Sequence, residues 1–178
     1  EDADGIIQHY RRLGYVRAQV GQPELTTLED SEDGEKRYVK MRIPISEGTR
    51  YRLGELTFEG VEIMRLDAVR RQFDIDEGDY YNQKVIQDGI ERAQMMYGSS
   101  GYMEFVAFPD LSPRDQVVED DGSVRRIDAP PIVDVTIRAD EGEQYFVGRI
   151  DFSGNTTTRD KVVRRELRVF EGGVFNTE

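Results

Sequence analysis

One pattern appears twice in this chain. Residues 51–83, YRLGELTFEGVEIMRLDAVRRQFDIDEGDYYNQ, slide by 94 positions onto 145–177, YFVGRIDFSGNTTTRDKVVRRELRVFEGGVFNT, without a gap. The identities include Tyr51 with Tyr145, Gly54 with Gly148, Phe58 with Phe152, Gly60 with Gly154, Arg70 and Arg71 with Arg164 and Arg165, and Glu77 with Glu171. The same shift lays VKMRIPISEG (39–48) on VDVTIRADEG (133–142), and a shift of 87 lays YRRLGY (10–15) on YGSSGY (97–102). A repeat of this period means that each copy is one supersecondary unit. Residues 1–48 read as the C-terminal part of a unit (helix, two strands), 49–142 as a complete unit, and 143–178 as the N-terminal part of a following unit (strand, helix). Only Thr49 and Arg50 separate Gly48 from Tyr51, so the units are closely joined.

Periodicity fills in the unit. Residues 51–58 alternate and end in Leu56 and Phe58 before Gly60, a short strand whose second copy carries Ile150 and Phe152 before Gly154. Leu66, Val69 and Phe73 are spaced to share one helix face, as are Val163 and Leu167 in the second copy. Thr157 or Thr158 is the expected N-cap there, with Asp160 in the first turn to meet the exposed N–H groups. Asn82 can cap a second helix whose Ile86, Ile90, Ala93 and Tyr97 form a stripe, with Gly98 at its end. Two strands follow: Val16, Ala18 and Val20 alternate, with Met103, Phe105 and Ala107 at the matching positions. The last strand carries Val39, Met41, Ile43 and Ile45, or Val133, Val135, Ile137 and Ala139. Pro44 belongs at a strand end or bulge, because proline cannot donate within a ladder. The reading is α+β, each unit β-α-α-β-β, with a three-stranded mixed sheet and two helices on its apolar face.

Composition narrows function by exclusion. The net charge of −12 is wrong for a nucleic-acid partner, which needs clustered Lys and Arg. Most of that charge sits in residues 1–5, 21–37 and 109–131. The absence of cysteine removes disulfides, thiolate metal sites and a thiol nucleophile. No apolar run is long enough to cross a bilayer, and EDADGIIQHY lacks the basic start and apolar centre of a signal peptide. His9, the only histidine, has no base or nucleophile beside it and reads as a surface residue. EDSEDGE (29–35) fails as a calcium loop because Lys40 falls where a bidentate Glu is needed, and VVEDDG fails at its first position; both read as solvated hairpin loops. GSSG (98–101) precedes a strand, whereas a phosphate cradle opens a helix.

The β-α-α-β-β order, the EG turn before Y-x-x-G-x-[LI]-x-F-x-G, the GNTTTRDKVVRREL run and the Y-x-x-x-G-Y ending together resemble the POTRA (polypeptide-transport-associated) domains of the outer-membrane protein assembly family typified by BamA, the surface antigen family. The resemblance covers essentially all 178 residues. Gly154 to Leu167 looks like the BamA-type members rather than the two-partner secretion transporters. The earlier copy departs from that pattern, with Val61 for Asn155 and Glu62, Ile63 and Met64 for the threonines.

The resemblance implies the soluble periplasmic part of an outer-membrane protein of a Gram-negative bacterium, placed before a C-terminal β-barrel. Its implied partners are unfolded outer-membrane proteins and accessory lipoproteins; no cofactor, metal or catalytic residue is implied. The alternatives are a passive scaffold that sets inter-domain geometry, or the POTRA region of a two-partner secretion transporter. With the family's strand order, the strand after the second helix lies at a sheet edge, where an extended client could be added. The expected client-binding residues are Val16, Arg17, Ala18, Gln19 and Val20, and Met103, Glu104, Phe105, Val106 and Phe108, with Val106 and Phe108 facing outward. Arg164 and Arg165 could contact an acidic partner, or simply pair with Glu166 and nearby acids. Because the first and last segments are complementary halves, two chains could also complete a hybrid unit between them.

Overall fold

The computed structural model describes residues 2–28, 37–119 and 121–176. Its elements are α1 (Asp2–Arg12), β1 (Gln19–Val20), β2 (Glu24–Thr27), β3 (Val39–Arg42), β4 (Ile45–Ser46), β5 (Arg52–Glu59), α2 (Leu66–Arg70), α3 (Gln83–Ser99), β6 (Val106–Pro113), β7 (Gln116–Val118), β8 (Val124–Arg126), β9 (Ile132–Asp140) and α4 (Asp160–Arg165). The main sheet has the order β5-β9-β6. Thr57 meets Thr136 and Gly60 closes on Ala139, so β5 and β9 advance together. Asp110 pairs with Arg138, whereas Arg114 N–H donates to Ile132 O, so β6 runs against β9. This is the expected α+β fold with a mixed three-stranded sheet. The central position of β9 follows from its alternation: Val133, Val135 and Ile137 are buried, and the residues between them are not.

The chain divides into two compact units. The first contains Glu1–Glu55, Ile75–Val85 and Leu111–Asp134. Its buried residues include Ala18, Tyr51, Leu53, Ile75, Tyr81 and Val133. Two-stranded antiparallel ribbons join β1 to β4, β2 to β3 and β7 to β8. The strand expected from Val16 is reduced to Gln19–Val20, because Val16 and Arg17 form a turn. The strand expected through Val39 and Ile45 is interrupted at Ile43 and Pro44, and Gly21 N–H donates to Pro44 O at 2.8 Å across the break. Proline therefore does sit at a strand end. The apolar face expected on this strand is not covered: Val39, Met41 and Ile45 are exposed, since the β2–β3 ribbon has no third strand among the described residues.

The second unit contains Leu56–Asp74, Ile86–Asp110 and Val135–Glu178. Its core combines Val69 and Phe73 with Ile86, Ile90, Ala93 and Tyr97 of α3, Phe105, and Val135 and Ile137 of β9. Each buried Val, Ile or Phe side chain among them contributes about 1.5–3 kcal/mol by leaving water. Gly89 lets α3 pack closely on Phe73, since a Cβ at that position would lie 2.4 Å from the Phe73 ring. Two expectations fail at the shorter helices. α2 begins at Leu66 itself, so Leu66 stays exposed and only Val69 and Phe73 reach the core. In α4 no residue is buried, Leu167 is exposed beyond the helix end at Arg165, and the N-cap is Arg159 rather than Thr157 or Thr158. Asp160 does occupy the first turn, where its carboxylate accepts from Asn155 Nδ2 at 2.6 Å.

Candidate functional site

The repeated Y-x-x-x-G-Y is a helix stop. After α3, Tyr102 N–H donates to Tyr97 O at 3.0 Å and Gly101 N–H to Gly98 O at 3.1 Å; after α1, Tyr15 N–H donates to Tyr10 O at 3.0 Å and Gly14 N–H to Arg11 O at 3.3 Å. This is the Schellman pattern, and it needs left-handed backbone at the residue after the helix. Gly14 and Gly101 supply it, with φ of 96° and 89°. The expected terminator, Gly98, instead lies buried inside α3. The tyrosines flanking each turn meet edge to face, Tyr10 with Tyr15 at 5.8 Å and Tyr97 with Tyr102 at 6.2 Å. At the other end of α3, Asn82 Oδ1 accepts from Lys84 N–H at 2.9 Å, the expected cap.

Each helix stop receives the next repeat. Tyr51 N–H donates to Gly14 O at 2.8 Å, and Tyr145 N–H donates to Gly101 O at 2.9 Å. The shared Glu of the EG turns accepts from the first tyrosine of each stop: Tyr10 OH donates to Glu47, and Tyr97 OH to Glu141. Glu141 is buried and also accepts the backbone N–H groups of Glu62 and Ile63, ahead of α2. Burial first, and then the bond to Glu141, hold the Tyr97 phenol far above its ordinary pKa.

A second carboxylate anchors the first unit. Asp115 is buried at the end of β6, where it accepts from Arg17 at 2.8 Å through Oδ1 and from Tyr51 OH at 2.8 Å through Oδ2. Burial and this hydrogen bond raise the Tyr51 pKa. The Glu of the EG turn was visible in the repeat. Asp115 was not, because it falls in the acidic stretch 109–131, where the shift between the copies changes from 87 to 94 and no single residue of the earlier copy can be aligned with it.

β6 is one of the two edge strands of the main sheet, β5 being the other. Val106 and Phe108 face outward as expected, 43% and 68% exposed. Met103 and Glu104 form a turn before the strand, and Phe105 is buried against Tyr97, the two rings stacked at 4.1 Å. Pro109 and Pro113 both lie in β6, and an edge strand is where residues without an N–H are tolerated. The first expected edge is different. Val16 and Arg17 are in a turn, Arg17 is engaged by Asp115, Ala18 is buried, and Gln19 and Val20 pair with Ser46 and Ile45.

Arg164 is held inside its own repeat. It donates to Glu171 Oε1 at 3.0 Å and to Ile150 O at 2.9 Å, and Ile150 N–H donates to the same Glu171 oxygen. That arrangement keeps the Glu171 carboxyl below its ordinary range. Arg165 is exposed and lies 3.6 Å from Glu166. EDSEDGE falls mostly outside the described residues. In the β7–β8 hairpin, Asp121 Oδ1 accepts from Ser123 N–H at 2.9 Å, as a turn-forming Asp does. Among the described residues no group of three or more His, Asp or Glu side chains could hold a metal, and no helix is long and apolar enough to cross a membrane.

A parallel-plus-antiparallel sheet edged by β6, with a glycine-terminated helix receiving the strand of the next repeat, defines a class of tandem α+β module. The POTRA family, described as surface antigen variable number repeat, matches residues 51–142 and 145–178, and the chain belongs to that family. It is 26% identical over 98% of its length to the outer membrane protein assembly factor BamA of Nitratidesulfovibrio vulgaris, and 26% identical over 99% to BamA of Neisseria meningitidis serogroup B. The chain spans 20% of the length of each of these relatives. Among solved structures, POTRA3-5 of Haemophilus influenzae BamA superposes with a TM-score of 0.65 at 21% identity, over 99% of this chain and 63% of that one. BamA of Haemophilus ducreyi lacking POTRA domains 1-3 gives 0.53 at 16% identity, over 83% of this chain and 23% of that one; both likenesses concern the fold.

Proposed function

We propose that the chain is part of the periplasmic POTRA arm of an outer-membrane β-barrel assembly factor, with residues 49–142 as one complete POTRA unit between parts of two others, 1–48 and 143–178. It acts without catalysis and without a cofactor. It takes up unfolded outer-membrane proteins by strand addition and docks accessory lipoproteins, ahead of a C-terminal barrel. The observation that carries this reading is β6: a sheet edge with Val106 and Phe108 turned outward. An edge strand offers main-chain groups that any extended client can satisfy, which suits a receptor for many sequences. Because Pro109 has no N–H to give, pairing there must use the groups on either side of it.

A photo-crosslinking side chain at position 106 or 108 of the intact factor tests this during assembly of an outer-membrane protein. Capture of the unfolded client from these positions, and not from position 136 on central β9, is expected. The scaffold reading rests on Arg17 and Asp115, whose part-buried pair ties together distant segments of the first unit. It predicts no client capture at β6, and an assembly defect when Asp115 is replaced.

A further inference from the structure

We infer that Ala107 and Pro109 choose which segment of a client β6 accepts: a stretch of alternating apolar residues whose main chain pairs fully at Ala107 and loses a hydrogen bond at Pro109. The inference rests on the strand addition proposed above and names what sets its register. In an antiparallel ladder the main-chain groups of alternate residues turn to one partner, and those between turn away. Arg114 N–H donates to Ile132 O at 2.8 Å, just past the end of β6. Counting back by twos, Ser112, Asp110, Phe108 and Val106 turn their main chain to β9. This register brings Val106, the first residue of β6, opposite Asp140, the last of β9, and sets Asp110 diagonal to Arg138, its ion-pair partner at 2.9 Å. Pro113, Pro109 and Ala107 belong to the other set, which turns outward, where the described residues place no further strand. Both prolines fall where β9 asks for no N–H, and the ladder tolerates them for that reason.

The open edge is therefore uneven. Ala107 offers both an N–H and a C=O, so a client residue beside it can make two main-chain hydrogen bonds. Pro109 offers only its C=O, and its ring fills the place of the missing donor, so the client carbonyl arriving there finds no partner. Side chains reinforce the same register. Val106 and Phe108 flank Ala107 on the outward face, 43% and 68% exposed. The client residues on either side of the one paired with Ala107 lie next to them and gain by being apolar. Asp110, the next residue on that face, already holds Arg138 and offers an apolar side chain nothing. The alternation of side chains singles out Val106 and Phe108 and passes over Ala107, whose own side chain is half-buried and whose part is played by the main chain.

The test uses the intact factor with a photo-crosslinking side chain at position 106, and the isotope-labelled chain for amide exchange. In the labelled chain the Ala107 N–H should exchange about tenfold faster, or more, than those of Phe108 and Asp110. Capture of an unfolded outer-membrane protein should fall about tenfold in Ala107→Pro, which deletes an outward donor and no bond to β9, and rise about tenfold in Pro109→Ala, which adds one. A strand peptide with valine at alternate positions should compete with the client, and a twin with aspartate at those positions should not. Equal exchange at Ala107 and Phe108 would overturn the inference. Unchanged capture in Pro109→Ala and in Ala107→Pro, while the labelled chain carrying Ala107→Pro keeps native circular dichroism, would do so as well. In either case capture by the unsubstituted factor leaves strand addition standing. No capture by the unsubstituted factor would instead end the strand-addition reading, and this inference with it.

Discussion

Tyr51 and Asp115 lie 64 positions apart and are joined by a 2.8 Å hydrogen bond from the phenol to Oδ2, with the tyrosine fully buried. The same carboxylate pairs with Arg17 at 2.8 Å and lies 3.6 Å from Arg126, so one side chain serves a phenol and two guanidinium groups. Asp115→Ala should destabilise the chain by about 3–5 kcal/mol, because it leaves a part-buried cation without a partner. Urea unfolding measures the loss. Arg17→Ala combined with Asp115→Ala should cost less than the sum of the single changes, since the stranded charge is gone in the double variant.

Glu141 makes a comparable commitment in the second unit, accepting from Tyr97 OH and from the N–H groups of Glu62 and Ile63. Glu141→Ala should cost about 2–4 kcal/mol. Amide hydrogen exchange at Glu62 and Ile63 should accelerate more than at Val69 inside α2. Equal acceleration throughout would mean the carboxylate holds no particular loop.

Two glycines with the same φ of 89° separate backbone strain from crowding. A Cβ at Gly78 would meet nothing within 4 Å, whereas one at Gly101 would lie 2.6 Å from Val174 Cγ1 and 3.1 Å from Tyr145 O. Gly78→Ala should therefore cost about 1 kcal/mol, and Gly101→Ala about 2–4 kcal/mol. Thermal unfolding of the two variants should rank them in that order.

Burial pushes the Tyr81 phenol from its ordinary 10.0 up to about 12. The unfolded chain then loses this proton at lower pH than the folded one. The stability contributed is complete below pH 10 and declines as the pH rises through about 12. Tyr81→Phe should flatten this alkaline limb by about 2 kcal/mol, measured as the difference in urea stability between the two chains at pH 9 and pH 12.

Much of the fold was legible because the repeat and the periodicity agree. Ile86, Ile90, Ala93 and Tyr97 form the buried stripe of α3, Asn82 caps it, and Val133, Val135 and Ile137 mark a strand buried from one face. Spacing failed where an element is short. In α2 the helix begins one turn too late for Leu66 to reach the core, and α4 stops at Arg165, leaving Val163 half-buried and Leu167 exposed beyond the helix end. For the candidate site, the outward turn of Val106 and Phe108 followed from alternation. The internal engagement of Arg17 did not, because its partner Asp115 is 98 positions away, whereas the pairing of Arg164 with a nearby acid was one of the two expectations.

By itself the sequence determined the repeated unit and its element order, since these depend on neighbours a few residues apart, whereas the helix stop it placed at Gly98 falls three residues later, at Gly101. Turn chemistry and period act locally and are written locally. Only the tertiary structure decided that Asp115 reaches both Tyr51 and Arg17, and that Glu141 gathers Tyr97 with the amides ahead of α2. Those arrangements arise when strands and helix ends from separate segments pack together, and burial then leaves each polar group only the partner that folding has brought to it.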